Sequence, residues 1–212
     1  MDKYTIRRFF RTFGVPGLVT YMIFAMALVF VGDLLTEGKF TLYMDFDRSL
    51  VLSGQVWRVL TFALLPVDSS PLWMVVSAIL YVSISRTLEE KWGEERLTRY
   101  ILLLWVLTLA AGFVTGFTTN LYMIPSLFIV YGILFPHQRF NLFFAIPVEA
   151  WVLAIVDLAV MVYWAVTNWA VTGGISLGVV GATLITLGVF FRKEIVNGIK
   201  TIIRKIRFKA GQ

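Results

Sequence analysis

Six stretches of this chain are too apolar, and too nearly free of charge, to be hidden by the rest of it. They cover about residues 16 to 35, 71 to 86, 99 to 117, 121 to 136, 147 to 166 and 169 to 191. A helix rises about 1.5 Å per residue, so about 20 apolar residues cross the roughly 30 Å of hydrocarbon in a bilayer. With 58% hydrophobic and 15% charged residues in a chain of 212, there is too little polar surface to enclose six such segments in water. Lipid is the matching solvent, and the chain reads as an all-α membrane protein with six transmembrane helices.

The charged residues are sorted by position. Lys3, Arg7, Arg8 and Arg11 alternate with Ile6, Phe9, Phe10 and Phe13, which makes residues 1–15 a short basic amphipathic segment. Residues 192–212 carry a second one, with Ile195, Ile199, Ile202, Ile203 and Ile206 on one helical stripe among Lys and Arg. These two segments, the turn after the second span and the turn after the fourth hold 16 of the 19 cations. The positive-inside rule then puts both termini in the cytoplasm, which needs an even number of spans. A basic start before an apolar run also fits a cleavable signal peptide, but the run ends at Gly32-Asp33 without a small-residue cleavage pattern, so a retained first span is expected.

Residues 16–191 therefore form one membrane domain between two basic cytoplasmic segments. Within it, residues 36–70 mix Glu37, Lys39, Asp45, Arg48 and Arg58 with Phe40, Tyr43 and Trp57, the composition of an interfacial loop that covers a bundle. The net charge of +6 is accounted for by lipid-facing cations, so no nucleic-acid partner is expected. With no cysteine and a single histidine, the chain offers no disulfide, no thiolate and no metal-ligand cluster, and no cofactor is expected.

Several short patterns stand at fixed places on this plan. Gln55-Val56-Trp57-Arg58-Val59-Leu60-Thr61 lies in the loop before the second span, and Leu88-Glu89-Glu90-Lys91-Trp92-Gly93 lies after it. Gly112 and Gly116 in the third span, and Gly174 and Gly178 in the sixth, are spaced to share a helix face where backbones can approach closely. Arg86 and Glu90 are four apart, the spacing of a helical ion pair. The Gln-x-Trp-Arg-x-x-Thr loop, the Glu89 to Gly93 turn and the Gly173-Gly174-x-x-x-Gly178 run, in that order, resemble the rhomboid superfamily. The resemblance spans about Pro16 to Phe191. It implies a six-helix rhomboid-like bundle in which the last helix packs tightly against the fourth.

The hydrolytic residues of that family are another matter. Its proteases use a serine in Gly-x-Ser at the start of the fourth span and a histidine in the sixth, because a serine hydroxyl needs a neighbouring base to become a nucleophile. Here the fourth span opens Tyr122-Met123-Ile124-Pro125-Ser126-Leu127 without a flanking glycine, so Ser126 is the sole catalytic candidate. Counting back from Gly173-Gly174 puts the histidine near Ala170 or Val171. His137, the one histidine, lies in the turn after the fourth span, on the cytoplasmic side. The family's His-x-x-x-Asn oxyanion donors correspond to Trp73 and Ser77.

Asp157 falls inside the fifth span, where an ionised carboxylate is costly; it is expected to face the bundle and to pair with a donor from another helix. Together with Trp73, Ser77 and Asn168 it marks possible client or polar-cavity contacts, while Gln55, Trp57, Arg58, Glu89, Gly93, Gly173, Gly174 and Gly178 are structural. The resemblance implies a derlin-like pseudoprotease of a prokaryotic cell membrane, with membrane lipid and transmembrane segments of client proteins as partners. Two alternatives stay open: an intramembrane serine protease with a non-standard site at Ser126, and a small transporter or channel using Asp157.

Overall fold

The computed structural model describes residues 14–66, 69–142, 146–167 and 174–192. The structure is mostly helical, at 76%. In chain order, α1 (Leu18–Leu35) leads into the short helices α2 (Lys39–Met44), α3 (Arg48–Leu52) and α4 (Arg58–Thr61), and then α5 (Pro71–Trp92), α6 (Glu94–Thr115), α7 (Ser126–Leu134), α8 (Ala150–Thr167) and α9 (Ile175–Phe190) follow. A 3-10 helix (Phe62–Leu64) and two strand pairs complete the described elements: β1 (Phe46–Asp47) with β2 (Phe117–Thr118), and β3 (Arg139–Leu142) with β4 (Ile146–Glu149), both antiparallel. Among the described residues four helices are long and apolar enough to cross a membrane, namely α1, α5, α6 and α8. The basic segments at the two ends lie almost wholly outside the described residues, as do Asn168 and Gly173.

Apolar residues cover both sides of these helices. On α1, Val19, Met22, Ile23, Met26 and Phe30 are buried, while Tyr21, Phe24, Leu28, Val31 and Leu35 are exposed at helical spacing on the opposite face. On α8 the buried stripe is Ala150, Ala154, Met161 and Ala165, and the exposed side carries Trp151, Ile155, Val160 and Tyr163. A helix that is hydrophobic all round, yet exposed on one side, is compatible with an integral membrane protein.

The turn after the second apolar run is shorter than its polar sequence implies. Helix α5 continues past Arg86 through Leu88, Glu89 and Trp92, and α6 starts at Glu94 rather than near 99, leaving Gly93 as a one-residue joint. Three features account for this. Leu88 is fully buried. Trp92 stacks on Phe191 at 5.0 Å and approaches Tyr100 at 5.9 Å, which ties together the ends of α5, α6 and α9. Glu94 and Glu95 sit in the first turn of α6, where acidic side chains favour the positive end of the helix dipole.

Gly93 makes the joint possible with φ 84° and ψ 147°, a backbone region reserved for glycine. Nothing lies within 4 Å of the place where its Cβ would be. Gly93→Ala is therefore expected to cost about 1–3 kcal/mol through the backbone alone, read as a lower melting temperature in detergent. Gly93→Ser should cost nearly the same, and a much larger loss for serine would point to packing instead. The expected Arg86–Glu90 ion pair is not formed, since the one ion pair within 4.0 Å among the described residues is His137–Glu149. An exposed pair of this kind contributes little, so solvation of both ends wins.

The fourth apolar run, 121 to 136, is helical only from Ser126 to Leu134, about 14 Å at the usual rise. Prolines bracket it. Pro125 has no N–H to continue a helix from the preceding turn, and Pro136 disfavours helix at Phe135. Tyr122, Met123 and Ile124 are buried all the same, in successive turns closed by Met123 N–H to the Asn120 carbonyl at 2.8 Å and Ser126 N–H to the Tyr122 carbonyl at 3.0 Å. The fifth run also begins later than 147: residues 147–149 belong to β4, with Arg139 opposite Glu149, and α8 starts at Ala150.

Close helix contacts fall on only some of the glycines. A Cβ on Gly178 would lie 3.1 Å from Ala111 Cβ, so the last helix packs along α6, the third apolar run, rather than along the fourth as the resemblance implied. Helix α7 packs instead on α8, through Gly132. Gly116 and Gly174 have positive φ and cap helix ends, and so do not extend the packing faces of Gly112 and Gly178.

Candidate functional site

Arg58 organises the first loop. It is 4% exposed, and its guanidinium donates to Gln55 Oε1 at 2.8 Å and to the main-chain carbonyls of Leu42 at 2.9 Å and Asp45 at 2.6 Å. Trp57 donates its indole N–H to the Tyr43 carbonyl and Thr61 its hydroxyl to the Met44 carbonyl. The Gln-x-Trp-Arg-x-x-Thr pattern thus gathers four consecutive carbonyls at the end of α2, which a helix end leaves without partners. Burial pushes the Asp45 carboxyl above its usual range, and the nearby Arg58 charge offsets part of that rise. Asp47 caps α3 by accepting from Ser49 and Leu50 N–H, and β1 pairs with β2, so the loop is fastened to the end of α6 as well.

Glu89, at the other end of the bundle, is also structural. Its Oε1 accepts the Gly17 N–H at 3.0 Å, while Val15 N–H donates to Thr98 Oγ1 at 3.0 Å. The start of α1 is thereby held against α5 and α6, with a carboxylate at a helix N-terminus.

Ser126 opens α7 and is 1% exposed. Its hydroxyl donates to the Met123 carbonyl at 2.8 Å and accepts from the Tyr100 phenol at 2.9 Å. A serine has one proton to give, and here it goes to main chain. The group beside it is a donor, not a base. His137 lies far from this serine in character: it is 87% exposed and rests 3.4 Å from Glu149 on the strand pair. Glu149 is held below its usual range by the Trp151 indole and by His137.

The two positions matched to oxyanion donors do not gather at Ser126. Trp73 is half exposed on α5, and Ser77, half-buried, has a partner within the structure. They precede the Gly93 joint by 20 and 16 residues, whereas Tyr100 follows it by seven. On helices joined end to end this separates them from the Tyr100 level by on the order of 10–20 Å along the axis.

Asp157 does belong to the same interior region as Ser126. It falls on the buried stripe of α8 between Ala154 and Met161, and it acts electrostatically on both the Tyr100 and the Tyr122 phenols. The expected hydrogen bond to another helix is not made by any described residue. The two phenols nearby spend themselves elsewhere or face it only through space, and Tyr100 gives its proton to Ser126.

Sequence reasoning missed the partners that make these positions intelligible. Tyr100 reads as one more aromatic in an apolar run. Asn120 is buried and donates through Nδ2 to the Leu65 carbonyl at 2.8 Å, fastening the first loop to the approach to α7. A cavity of about 540 Å³ opens beside it, with Asp33, Glu37, Thr41 and Asn120 among its lining residues. No group of three or more metal-ligating side chains occurs among the described residues. Compared with protein-family models, curated proteins and solved structures, the chain matches none.

Proposed function

We propose that this chain is a rhomboid-like membrane protein that no longer cleaves peptide bonds and instead holds the transmembrane segments of client proteins. One observation carries the reading: the buried Ser126 hydroxyl is committed to the Met123 carbonyl and receives the Tyr100 proton, so no described residue bonded to it can activate it. The loop built on Trp57 and Arg58 supports the kinship, because its motif residues make coherent contacts. In this reading the short α7 and α9 complete six crossings, both termini face the cytoplasm of a prokaryotic cell, and the bilayer thins around α7. A helix of about 14 Å against about 30 Å of hydrocarbon supports such thinning. Helices α5 and α8 both pack on α7, and α5 presents Leu72, Trp73 and Val76 outward near one end, a surface for a client helix.

The test has two parts. Ser126 should stay unlabelled by a fluorophosphonate probe, and Ser126→Ala should cost about 1–3 kcal/mol in thermal stability, because the buried Tyr100 phenol and the Met123 carbonyl lose their partner. Cleavage of a model transmembrane substrate that disappears in Ser126→Ala would end the proposal. A photoreactive residue in place of Trp73 should capture single-span proteins in membranes, and Arg58→Ala should weaken the capture.

A transporter or channel is the second reading, favoured by Asp157 standing on the buried stripe of α8 close to two tyrosines. Proteoliposome flux that Asp157→Asn abolishes would select it.

A further inference from the structure

Helices α1 and α5 pack against each other yet leave a groove of about 620 Å³ between them, a size usual for small-ligand sites of roughly 300–1,000 Å³. Its walls are apolar over most of their length, with Ile23 and Ala27 on α1 facing Ala78 and Val82 on α5. The small side chains of Ala27 and Ala78 leave space between the helices unfilled. One end is different: Thr20 and Ser83 offer hydroxyls there, and Arg86 is the only cation among the described lining residues.

Two facts about Arg86 matter. It is exposed, and it makes no hydrogen bond or ion pair with any described residue. Glu89, an acid that acts on it, already accepts the Gly17 N–H. The groove follows α1 from Thr20 to Ala27 and α5 from Ala78 to Thr87, about 10 to 14 Å at the helical rise. That is the depth of one leaflet, and Lys91, Arg96 and Arg99 lie at the same end of the bundle as Arg86.

We propose that this groove is a binding site for one anionic phospholipid, with an acyl chain between α1 and α5 and the phosphate on Arg86, Thr20 and Ser83. A guanidinium with free donors at the end of an apolar slot matches a headgroup at the end of a chain. Inorganic phosphate shares the headgroup chemistry but not the slot, and a zwitterionic lipid shares the slot but adds a cation beside Arg86. The site is independent of whether the chain holds clients.

Full-length protein in detergent, stripped of lipid, is offered phosphatidylglycerol, phosphatidylcholine or inorganic phosphate and followed by native mass spectrometry and melting temperature. One phosphatidylglycerol should stay bound under conditions that remove phosphatidylcholine. Arg86→Gln should weaken that binding about tenfold, and Ala78→Phe should block it by filling the slot, while Arg139→Gln on the strand pair should leave it unchanged. Equal retention of both lipids, equal protection by phosphate alone, unchanged binding in Arg86→Gln, or an equal loss in Arg139→Gln would each overturn the proposal. Should Ala78→Phe fail to fold, the exposed Arg86→Gln decides.

Discussion

Replacing Arg58 by alanine should lower the stability of the bundle by about 3–5 kcal/mol, the largest effect expected of any single change. The guanidinium is buried and holds Gln55 and the Leu42 and Asp45 carbonyls. Removing it leaves those acceptors without donors in a place water reaches poorly. It also removes the charge that offsets the burial of Asp45. Arg58→Lys should restore only part of the loss, because one ammonium cannot reproduce donors spread over two nitrogen positions and three acceptors. Thermal melting in detergent reads both variants. A melting temperature for Arg58→Ala within a degree of the parent would mean that the first loop does not need its arginine.

Gly132→Ala should come second, at about 2–3 kcal/mol. A methyl group there would overlap Ala154 Cβ and lie 2.8 Å from the Ala150 carbonyl oxygen, so α7 and α8 must separate. Such a change reaches the interior, since α7 begins with Ser126 and α8 carries Asp157. The companion change Ala154→Gly removes the nearer obstacle and leaves the backbone one. The double variant should therefore recover part of the stability and not all of it. Full recovery, or none, would show that the contact between these helices is not the one described.

These two residues differ in how far they were legible beforehand. Arg58 was marked by its neighbours Gln55, Trp57 and Thr61, although nothing in the spacing indicated that these side chains would meet the carbonyls of residues 42 to 45. Gly132 was overlooked. It stands alone in a run of large apolar residues, without a partner four positions away, and the reason for its size is an alanine on a helix 22 residues later. Gly112 and Gly116 show the converse error: correct spacing for a shared face, but Gly116 ends its helix and only Gly112 is in close contact.

Span boundaries failed where a local signal opposed the apolar run. Hydropathy made a continuous span of 121 to 136, and Pro125 and Pro136 reduced it to nine helical residues. Around Glu89 the opposite happened. A polar stretch that reads as a loop remained helical, because Leu88 is buried, the half-buried Trp92 packs against the core and Glu89 has the start of α1 to hold.

Composition alone was enough to establish a helical chain with several segments long and apolar enough for a bilayer, since backbone polar groups in lipid must pair within their own segment and helices do this without distant partners. Pairing across the chain is what only the tertiary structure decided. Whether Ser126 meets a base or a phenol, whether Asp157 finds a donor, and which helix Gly178 approaches all depend on residues 20 to 70 positions away. One-dimensional periodicity carries no information about those distances, and the chemistry of the interior is made of them.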